Sequence, residues 1–340
     1  MRAVIFEDFG GPEVLKVGEV PDPVVGPGQV LIRIEAAGVC HHDLFHRRGA
    51  LSQAEKTILG HEVAGTIEAV GAGVSLAPGT RVVAYNRLAC GLCRGCLSGR
   101  HDLCRNSRLL GNGAPGGYAE FTVLPEAAAI PIPPWLAATQ AALVTCPIGT
   151  SVRALRGVAG VAPGDRVVIT GASGGLGVHQ IQIAAAAAAR PIAITRSPEK
   201  EEALSGLGAD VIVVDPEVKL RHAIRSVARD REIDIVIENV TSSTLTETIW
   251  TVRPGGKIVV LGNIDLADVS INPGLIIERR LSLIGSGNPT HEDVHRAIAL
   301  IETGLIRPQI HEVVPFAEAA LAHHLAESRA TLGRVVLSGW

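Results

Sequence analysis

The segment that constrains the fold most is Thr170-Gly-Ala-Ser-Gly-Gly-Leu-Gly177, which follows a buried-type strand pattern and opens a helical one. Its glycines permit a tight turn and let the backbone approach a diphosphate, whose charge the first turn of the following helix stabilises. A glycine-rich run alone is not specific, but the strand–turn–helix context makes it so. The residues expected to contact a dinucleotide are Gly171, Ser173, Gly174, Gly175, Leu176 and Gly177.

The order of strand and helix patterns around this turn predicts a parallel sheet. Apolar strand patterns alternate with helical patterns, as expected for a sheet that is covered on both faces. The predicted strands span residues 166–171, 192–195, 211–215, 234–239, 257–262 and 281–285. Six such strands indicate a doubly wound, Rossmann-type nucleotide-binding domain in an α/β protein.

The N-terminal third of the sequence has a different pattern from the nucleotide-binding region. Residues 1–125 show short strand patterns, such as 29–36 and 62–70, separated by Gly and Pro, which predicts a β-rich, barrel-like unit. A helical stretch is expected at residues 136–156. The final strand pattern, residues 333–337, can return to the sheet of this first unit.

Charge and hydropathy exclude several classes of partner. Lys and Arg number 31 against 34 Asp and Glu, so the balance favours neither nucleic acid nor an anionic membrane. No apolar run reaches the roughly 18–20 residues that span a bilayer. The first ten residues lack the features of a signal peptide, and the cysteines have metal-site spacing, so we expect a reducing cytoplasm.

Four of the six cysteines form the pattern C-x₂-C-x₂-C-x₇-C at Cys90, Cys93, Cys96 and Cys104. Four thiolates at this spacing, with glycines between them, can enclose one tetrahedral Zn²⁺ and leave no position for water. The pattern therefore predicts an inert, structural zinc site. A pair of disulfides and an iron–sulfur cluster are the alternatives.

The other two cysteines suggest an open metal site. Cys40, His61 and Cys146 supply two thiolates and one imidazole, which leaves the fourth position of a zinc ion for water or a substrate oxygen. Taken singly, Cys40 or Cys146 reads as a buried small hydrophobe. Together with the four-cysteine pattern and the nucleotide motif, they predict a catalytic centre.

Two carboxylates are candidates to support this centre. Asp43 can accept the free N–H of His61 and orient its ring, or it can simply cap a loop. Glu62 is adjacent to His61 and can approach the metal as a transient ligand, or it can be a surface strand residue.

The end of the second predicted strand of the Rossmann domain indicates the cofactor. NAD-binding domains usually place an acid there for the ribose 2′-hydroxyl, whereas this strand ends in Thr195-Arg196-Ser197. Arg196 can pair with a 2′-phosphate, helped by the two hydroxyls and by Lys200. We therefore predict NADP(H) over NAD(H), the alternative for Arg196 being a solvent-exposed residue at a helix start.

With these motifs the chain resembles the medium-chain dehydrogenase/reductase superfamily, in its zinc-containing alcohol dehydrogenase family. The resemblance covers essentially the whole length and includes Gly60-His61-Glu62-x₂-Gly65-x₅-Gly71-x₂-Val74. It implies a GroES-like catalytic domain, residues 1–144 and 288–340 with the zinc lobe at 88–106, around a Rossmann domain at 145–287. It also implies a catalytic zinc on Cys40, His61 and Cys146 with Glu62 nearby, and a homodimer or homotetramer, with strand 281–285 as a plausible intersubunit edge.

One position departs from the family. Alcohol dehydrogenases usually carry Ser or Thr two residues after the first zinc cysteine, to relay the alcohol proton, and this chain has His42. Either His42 or His46 can shuttle a proton, because imidazole titrates near neutrality. The alternative for His42 is an imidazole at the surface or one that only supports the site.

The resemblance implies a zinc-dependent, NADP(H)-linked oxidation of a small alcohol, or the reverse reduction of an aldehyde or ketone. Residues 170–183 and 256–265 are also similar to acryloyl-CoA reductases of the same superfamily, which reduce a C=C bond. An enone or enoyl-CoA reductase is therefore the first rival. A nucleotide-binding protein without catalysis is the second.

Overall fold

The computed structural model describes residues 1–51, 57–229 and 231–340. Contacts divide the chain into two units, Met1–Cys146 with Ile310–Trp340, and Pro147–Gln309. Both chain ends therefore lie in the first unit, and the second is formed by one continuous segment.

The strands alternate with short helices along the chain. In chain order the strands are β1 (Arg2–Ile5), β2 (Lys16–Glu19), β3 (Gln29–Gly38), β4 (Glu62–Val70), β5 (Arg81–Ala84), β6 (Arg87–Leu88), β7 (Arg108–Leu110), β8 (Gly113–Ala114), β9 (Phe121–Pro125), β10 (Ala129–Pro131), β11 (Arg166–Ile169), β12 (Arg190–Thr195), β13 (Asp210–Val213), β14 (Ile233–Glu238), β15 (Val252–Val260), β16 (Ser282–Gly285), β17 (Ile310–Val314) and β18 (Arg334–Ser338). The α-helices are α1 (His41–Arg47), α2 (Arg94–Leu97), α3 (Ala138–Ala141), α4 (Thr150–Val152), α5 (Gly177–Ala186), α6 (Glu201–Gly206), α7 (Leu220–Val227), α8 (Leu245–Thr248), α9 (Pro273–Arg279), α10 (His291–Glu302) and α11 (Ala319–Ser328). Within the described residues, none of these helices has the length and apolar character needed to cross a membrane.

The first unit is built on a seven-stranded sheet in the order β10-β5-β4-β3-β18-β17, with β9 also pairing with β3. Strand β3 buries alternate residues, Val30, Ile32 and Ile34, as expected for a strand with one face on a core. The C-terminal strand β18 pairs antiparallel with β3, with Val336 opposite Gly38. The predicted return of the last strand to this sheet is confirmed.

The second unit contains a six-stranded sheet in the order β13-β12-β11-β14-β15-β16, and every neighbouring pair is parallel. Buried Val and Ile residues fill its strands, for example Val167, Val168 and Ile169 in β11. Strand order reverses between β11 and β14, because the chain first adds β12 and β13 on one side and then crosses over. The predicted doubly wound parallel sheet is confirmed.

The helical stretch expected at residues 136–156 is interrupted. It contains α3 and α4 and two π-helical segments, Val144–Gly149 and Arg153–Ala159. Pro147 lies inside the first π segment, and a proline has no N–H for the helical ladder while its ring displaces the preceding turn. The stretch is therefore helical, as expected, but it alternates between α and π geometry.

The domain boundaries expected from the sequence also differ from the division of the contacts. Residues 145–146 fall in the first unit, and residues 288–309 fall in the second. Helix α10 belongs with the parallel sheet because it packs against α4 of the same unit. The return to the first unit therefore occurs only at Ile310, where β17 begins.

Candidate functional site

Four side chains of the first unit bring their ligand atoms together. The sulfurs of Cys40 and Cys146, a ring nitrogen of His61 and a carboxylate oxygen of Glu62 all lie within 4.8 Å of one another. Cys40 is the residue before α1, His61 and Glu62 stand at the start of β4, and Cys146 lies in the first π-helical segment. The sequence placed Cys146 in the cofactor domain, whereas its contacts place it in the first unit with its three partners.

Asp43 orients the imidazole of His61. Its Oδ1 lies 3.0 Å from His61 Nδ1 and also accepts a hydrogen bond from the Gly60 N–H at 3.2 Å. Its Oδ2 accepts from the Cys40 N–H at 3.1 Å and so caps α1. The two roles considered for Asp43 therefore coincide, and the bond at Nδ1 leaves Nε2 of His61 for a metal ion.

The electrostatics of the cluster favour a thiolate at Cys40 and a thiol at Cys146. A hydrogen bond from Cys146 holds the pKa of Cys40 well below its usual value, and the same pairing, with burial, raises the pKa of Cys146. Burial alone would lower the pKa of His61, but Asp43 and Cys40 raise it well above its usual value. Burial also raises the pKa of Glu62 to about 7, although Arg334 opposes this.

Arg334 is a member of this site that the sequence analysis did not identify. It opens β18, is 4% exposed, and donates to Glu62 Oε1 at 2.8 Å, with Cys40 Sγ 3.7 Å away. A charged residue immediately before Val335-Val336-Leu337 in the final strand was the available signal, since a buried cation requires a partner. Its partner Glu62 is too distant in sequence for the pairing to be read from the chain.

The donor set fits a zinc ion. Two thiols, one imidazole and one carboxylate are the ligand types that Zn²⁺ binds, and the second oxygen of Glu62 is buried without a hydrogen-bond partner among the described residues. The contact of Asp43 with Nδ1 orients the ring of His61 so that Nε2 is left for a metal ion. The geometry therefore accommodates the metal that the residue pattern predicts.

The two candidate proton carriers occupy different environments. The ring of His42 meets that of His61 edge to face, with centroids 5.5 Å apart, and burial lowers its pKa. Its Nε2 is buried without a hydrogen-bond partner in the part of the chain that the structure describes. His46 is fully buried with its ring against the edge of Phe6. His42 is therefore the one of the two that lies beside a ligand of the cluster.

The four remaining cysteines form a second cluster. The sulfurs of Cys90, Cys93, Cys96 and Cys104 lie within 4.8 Å of one another, with Cys104 and Cys90 at 3.5 Å and Cys93 and Cys96 at 3.6 Å. These separations are too long for disulfide bonds, and all four cysteines are free. Backbone N–H donation by Cys96 lowers the pKa of Cys93 to about 6, which favours a thiolate. One tetrahedral ion fits this arrangement.

The glycine-rich turn connects β11 to α5 in the second unit. Gly171 has a φ of +58°, and a Cβ on Gly177 would lie 2.5 Å from the backbone of Ala172. Both positions therefore require glycine. Ser173, Gly174, Gly175 and Leu176 complete the turn before α5 begins.

The residues expected to select the cofactor follow at the end of β12. Thr195 is the last residue of the strand, and its Oγ1 accepts a hydrogen bond from the Ser197 N–H at 3.1 Å. Arg196 is exposed, as a phosphate contact requires. Lys200 is 4% exposed, and burial lowers its pKa, so its amine is less available than Arg196 to a cofactor phosphate.

Comparison with known proteins gives consistent results along the chain. The family of alcohol dehydrogenase GroES-like domains matches residues 26–134, and the zinc-binding dehydrogenase family matches residues 175–303. An acryloyl-coenzyme A reductase of Metallosphaera sedula is 30% identical over 99% of this chain and 100% of its own. An NAD-dependent alcohol dehydrogenase of Sulfurisphaera tokodaii is 33% identical over 99% of each chain.

A solved structure agrees with these matches. The crystal structure of AibC superposes with a TM-score of 0.93 at 39% identity, covering 100% of this chain and 96% of that one. The resemblance seen in the motifs thus extends over the full length of the sequence and the fold. The chain therefore belongs to the medium-chain dehydrogenase/reductase superfamily, in its zinc-containing alcohol dehydrogenase family, and is an oxidoreductase.

Proposed function

We propose that this protein is a zinc-dependent, NADP(H)-linked alcohol dehydrogenase or carbonyl reductase acting on a small alcohol, aldehyde or ketone. The observation that carries the proposal is the convergence of Cys40, His61, Glu62 and Cys146 within 4.8 Å, with His61 oriented by Asp43. Sulfur and nitrogen ligands that leave one position open are typical of catalytic zinc. A purely structural ion is instead expected at the four-cysteine cluster.

The chain's own residues have distinct tasks in this reaction. Cys40, His61 and Cys146 would hold the ion, which would supply Lewis acidity toward a substrate oxygen, and a bound nicotinamide would supply the hydride chemistry. Asp43 fixes the ring of His61, and Arg334 holds Glu62 through their ion pair. His42, whose buried Nε2 lies beside the ligand cluster, is the candidate to carry the alcohol proton.

The NADP(H) preference rests on the end of β12. Arg196 is exposed there, and Asp or Glu is absent from Thr195-Arg196-Ser197. We expect Arg196→Ala to raise the KM for NADPH about tenfold, as for the loss of one charge-assisted phosphate contact, with little effect on NADH. Arg190→Ala, an exposed arginine at the opposite end of β12, is the matched control. A higher kcat/KM with NADH than with NADPH in the unaltered enzyme would contradict the preference.

A second candidate is the NADPH-dependent reduction of the C=C bond of an enone or enoyl-CoA. It is favoured by His42, which stands where alcohol dehydrogenases usually carry a relay hydroxyl, and by the similarity to an acryloyl-coenzyme A reductase over the whole chain. In that case the metal site would act on the conjugated carbonyl or would only support the fold.

Product analysis separates the two functions. NADPH oxidation is followed with a panel of aldehydes and ketones, and separately with enones and enoyl-CoA thioesters, and the products are identified by mass spectrometry. We expect alcohol products, and Cys146→Ser should lose both one zinc equivalent and this turnover. A saturated carbonyl product from the enones, with no turnover of any aldehyde or ketone, would replace the first function by the second.

A further inference from the structure

The carboxyl edge of the parallel sheet contains a buried carboxylate that no step above uses. Glu238 is the last residue of β14 and is fully buried. Strand β14 lies beside β11, where the strand order of the sheet reverses. Ligands of doubly wound sheets bind in the crevice outside the carboxyl ends of the strands at this reversal. Glu238 therefore stands at the position of the sheet where a dinucleotide is expected.

Hydroxyl and backbone donors surround Glu238 in place of a cation. Oε2 accepts hydrogen bonds from Thr244 Oγ1 at 2.7 Å, Thr170 Oγ1 at 3.0 Å and the Thr241 N–H at 3.3 Å. Oε1 accepts from Thr248 Oγ1 at 2.6 Å. No Lys, Arg or His forms an ion pair with it in residues 1–51, 57–229 or 231–340, and burial raises its pKa. Burying a carboxylate without a counter-ion is costly. The three threonine hydroxyls that donate to Glu238 therefore indicate that this carboxylate has a function.

One of its donors has an unfavourable backbone conformation. Thr241 has a φ of +69°, in the left-handed region that β-branched residues avoid. Besides the Glu238 contact, its Oγ1 donates to the carbonyl of Gly262, which follows β15, at 2.5 Å. Strained residues of this kind persist where the surroundings hold them, and they concentrate at functional sites. Thr241 thus links the segment after β14 to the segment after β15.

The same cluster reaches the glycine-rich turn. Thr170, which donates to Glu238, is the residue immediately before Gly171. The Asn239 N–H donates to Thr170 Oγ1 at 2.9 Å, and the Asn239 Nδ2 donates to the Thr170 carbonyl at 2.8 Å and to Gln180 of α5 at 2.7 Å. The segments that follow β11, β14 and β15 are therefore fixed to one another at the carboxyl edge of the sheet.

We propose that Glu238 and Thr241 are positioning residues for the nicotinamide dinucleotide. They hold the segments after β14 and β15 in a fixed position relative to the glycine-rich turn. This inference rests on the proposed use of a nicotinamide cofactor, but not on whether NADP(H) or NAD(H) is preferred, nor on which bond is reduced. Its test is consequently the binding of the cofactor itself.

The experiment compares near-isosteric variants of two threonines. Thr241→Val removes the hydroxyl that contacts Gly262, and Thr241→Ser keeps it. Thr251→Val is the control, because the buried Thr251 hydroxyl donates to the backbone carbonyl of Thr248 at 2.7 Å and not to Glu238. The Kd of NADPH and of NADH is measured for each holoprotein by isothermal titration calorimetry without substrate, together with its thermal unfolding. We expect Thr241→Val to weaken binding about tenfold, the effect of one lost hydrogen bond. Thr241→Ser and Thr251→Val should bind like the unaltered protein.

Glu238 is tested in the same way with two replacements. Glu238→Gln keeps a carbonyl acceptor for the Thr241 N–H and should retain binding, whereas Glu238→Leu leaves the donors unsatisfied and should lose it. If Glu238→Leu does not fold, the affinities of the Thr241 variants decide whether the inference holds. Unchanged affinity in Thr241→Val overturns the inference, and so does an equal loss in Thr251→Val, because the second result indicates only a general packing role. If the unaltered protein binds neither dinucleotide, the proposed use of a nicotinamide cofactor is contradicted as well.

Discussion

At the scale of single residues, His323 illustrates how a buried imidazole is kept neutral near the candidate metal site. Its Nδ1 lies 3.1 Å from Arg47 Nη1, which can only donate, so Nδ1 accepts and the proton resides on Nε2. Nε2 in turn lies 3.2 Å from the hydroxyl of Tyr118. Burial lowers the pKa of His323 to about 4, with Arg47 and Arg48 adding to the effect and Asp43 and Glu327 opposing it.

This shift predicts a specific loss of stability in mild acid. The unfolded chain binds a proton at an ordinary histidine pKa near 6.5, whereas folded His323 resists protonation until about pH 4. Between these values the unfolded state holds more protons, so the free energy of unfolding falls as pH falls, by up to about 1.4 kcal/mol per pH unit. His323→Gln should flatten this dependence in urea titrations between pH 7 and pH 5. The exposed His295→Gln is the control, and equal slopes in all three proteins would contradict the argument.

The residues of the candidate site were predictable to different degrees. Cys40, His61 and Cys146 could be found because they occur together with the four-cysteine pattern and the nucleotide motif, and the structure brings them together. The contact of Asp43 with His61 was suggested because a carboxylate can accept the free N–H of the ring, and the structure contains this contact. Arg334 and Glu238 were missed because their partners depend on strand pairing and loop closure, and neither has a local spacing that identifies it.

At the scale of elements, the lobe around the four cysteines has little else to hold it. Its regular structure is limited to α2, a short 3₁₀ turn at His101–Leu103 and the small sheet of β6, β7 and β8. Leu92, Leu97 and Leu103 are largely exposed, so these side chains supply no core. The convergence of the four sulfurs is therefore the main tertiary constraint within the segment.

Removing one of these sulfurs should release an ion and loosen the lobe alone. We expect the unaltered protein to contain two zinc ions per chain by plasma mass spectrometry and Cys104→Ser to contain one, because three thiolates bind zinc more weakly than four. Limited proteolysis should then cleave within residues 88–106 while the rest of the chain stays intact. Ser98→Ala in the same lobe is the control. Two zinc ions in Cys104→Ser, or unchanged protection of the lobe, would contradict this prediction.

The elements themselves were predictable where one periodicity governs a segment. Alternating strands and helices of the parallel sheet follow from buried Val and Ile runs, and β4 has the bounds expected from its pattern. The stretch around Cys146 was not predictable, since Pro147 changes the helical ladder to π geometry in a way that hydrophobic periodicity does not record. Strand β17 was also missed, because only Val314 of its five residues is buried.

At the scale of the whole molecule, each of the two main sheets ends in a strand with an exposed apolar residue. In the second unit β16 is an edge strand, and Leu283 on it is 40% exposed. In the first unit β17 is an edge strand, and Val313 on it is 48% exposed. An unpaired edge offers a row of backbone donors and acceptors to another chain. Of the two edges, β16 also has Ile277 of the preceding helix exposed, at 76%, close to it in sequence.

We therefore expect a homo-oligomer formed through β16, in which a second copy of the strand continues the sheet. Leu283→Lys should reduce the mass measured by size-exclusion chromatography with light scattering, because a charge on this edge would be buried without a partner in the joined sheet. Val313→Lys places the same charge on the edge strand β17 and should leave the mass unchanged. A monomeric unaltered protein at micromolar concentration would contradict the oligomer, and dissociation by Val313→Lys but not by Leu283→Lys would move the interface to the first unit.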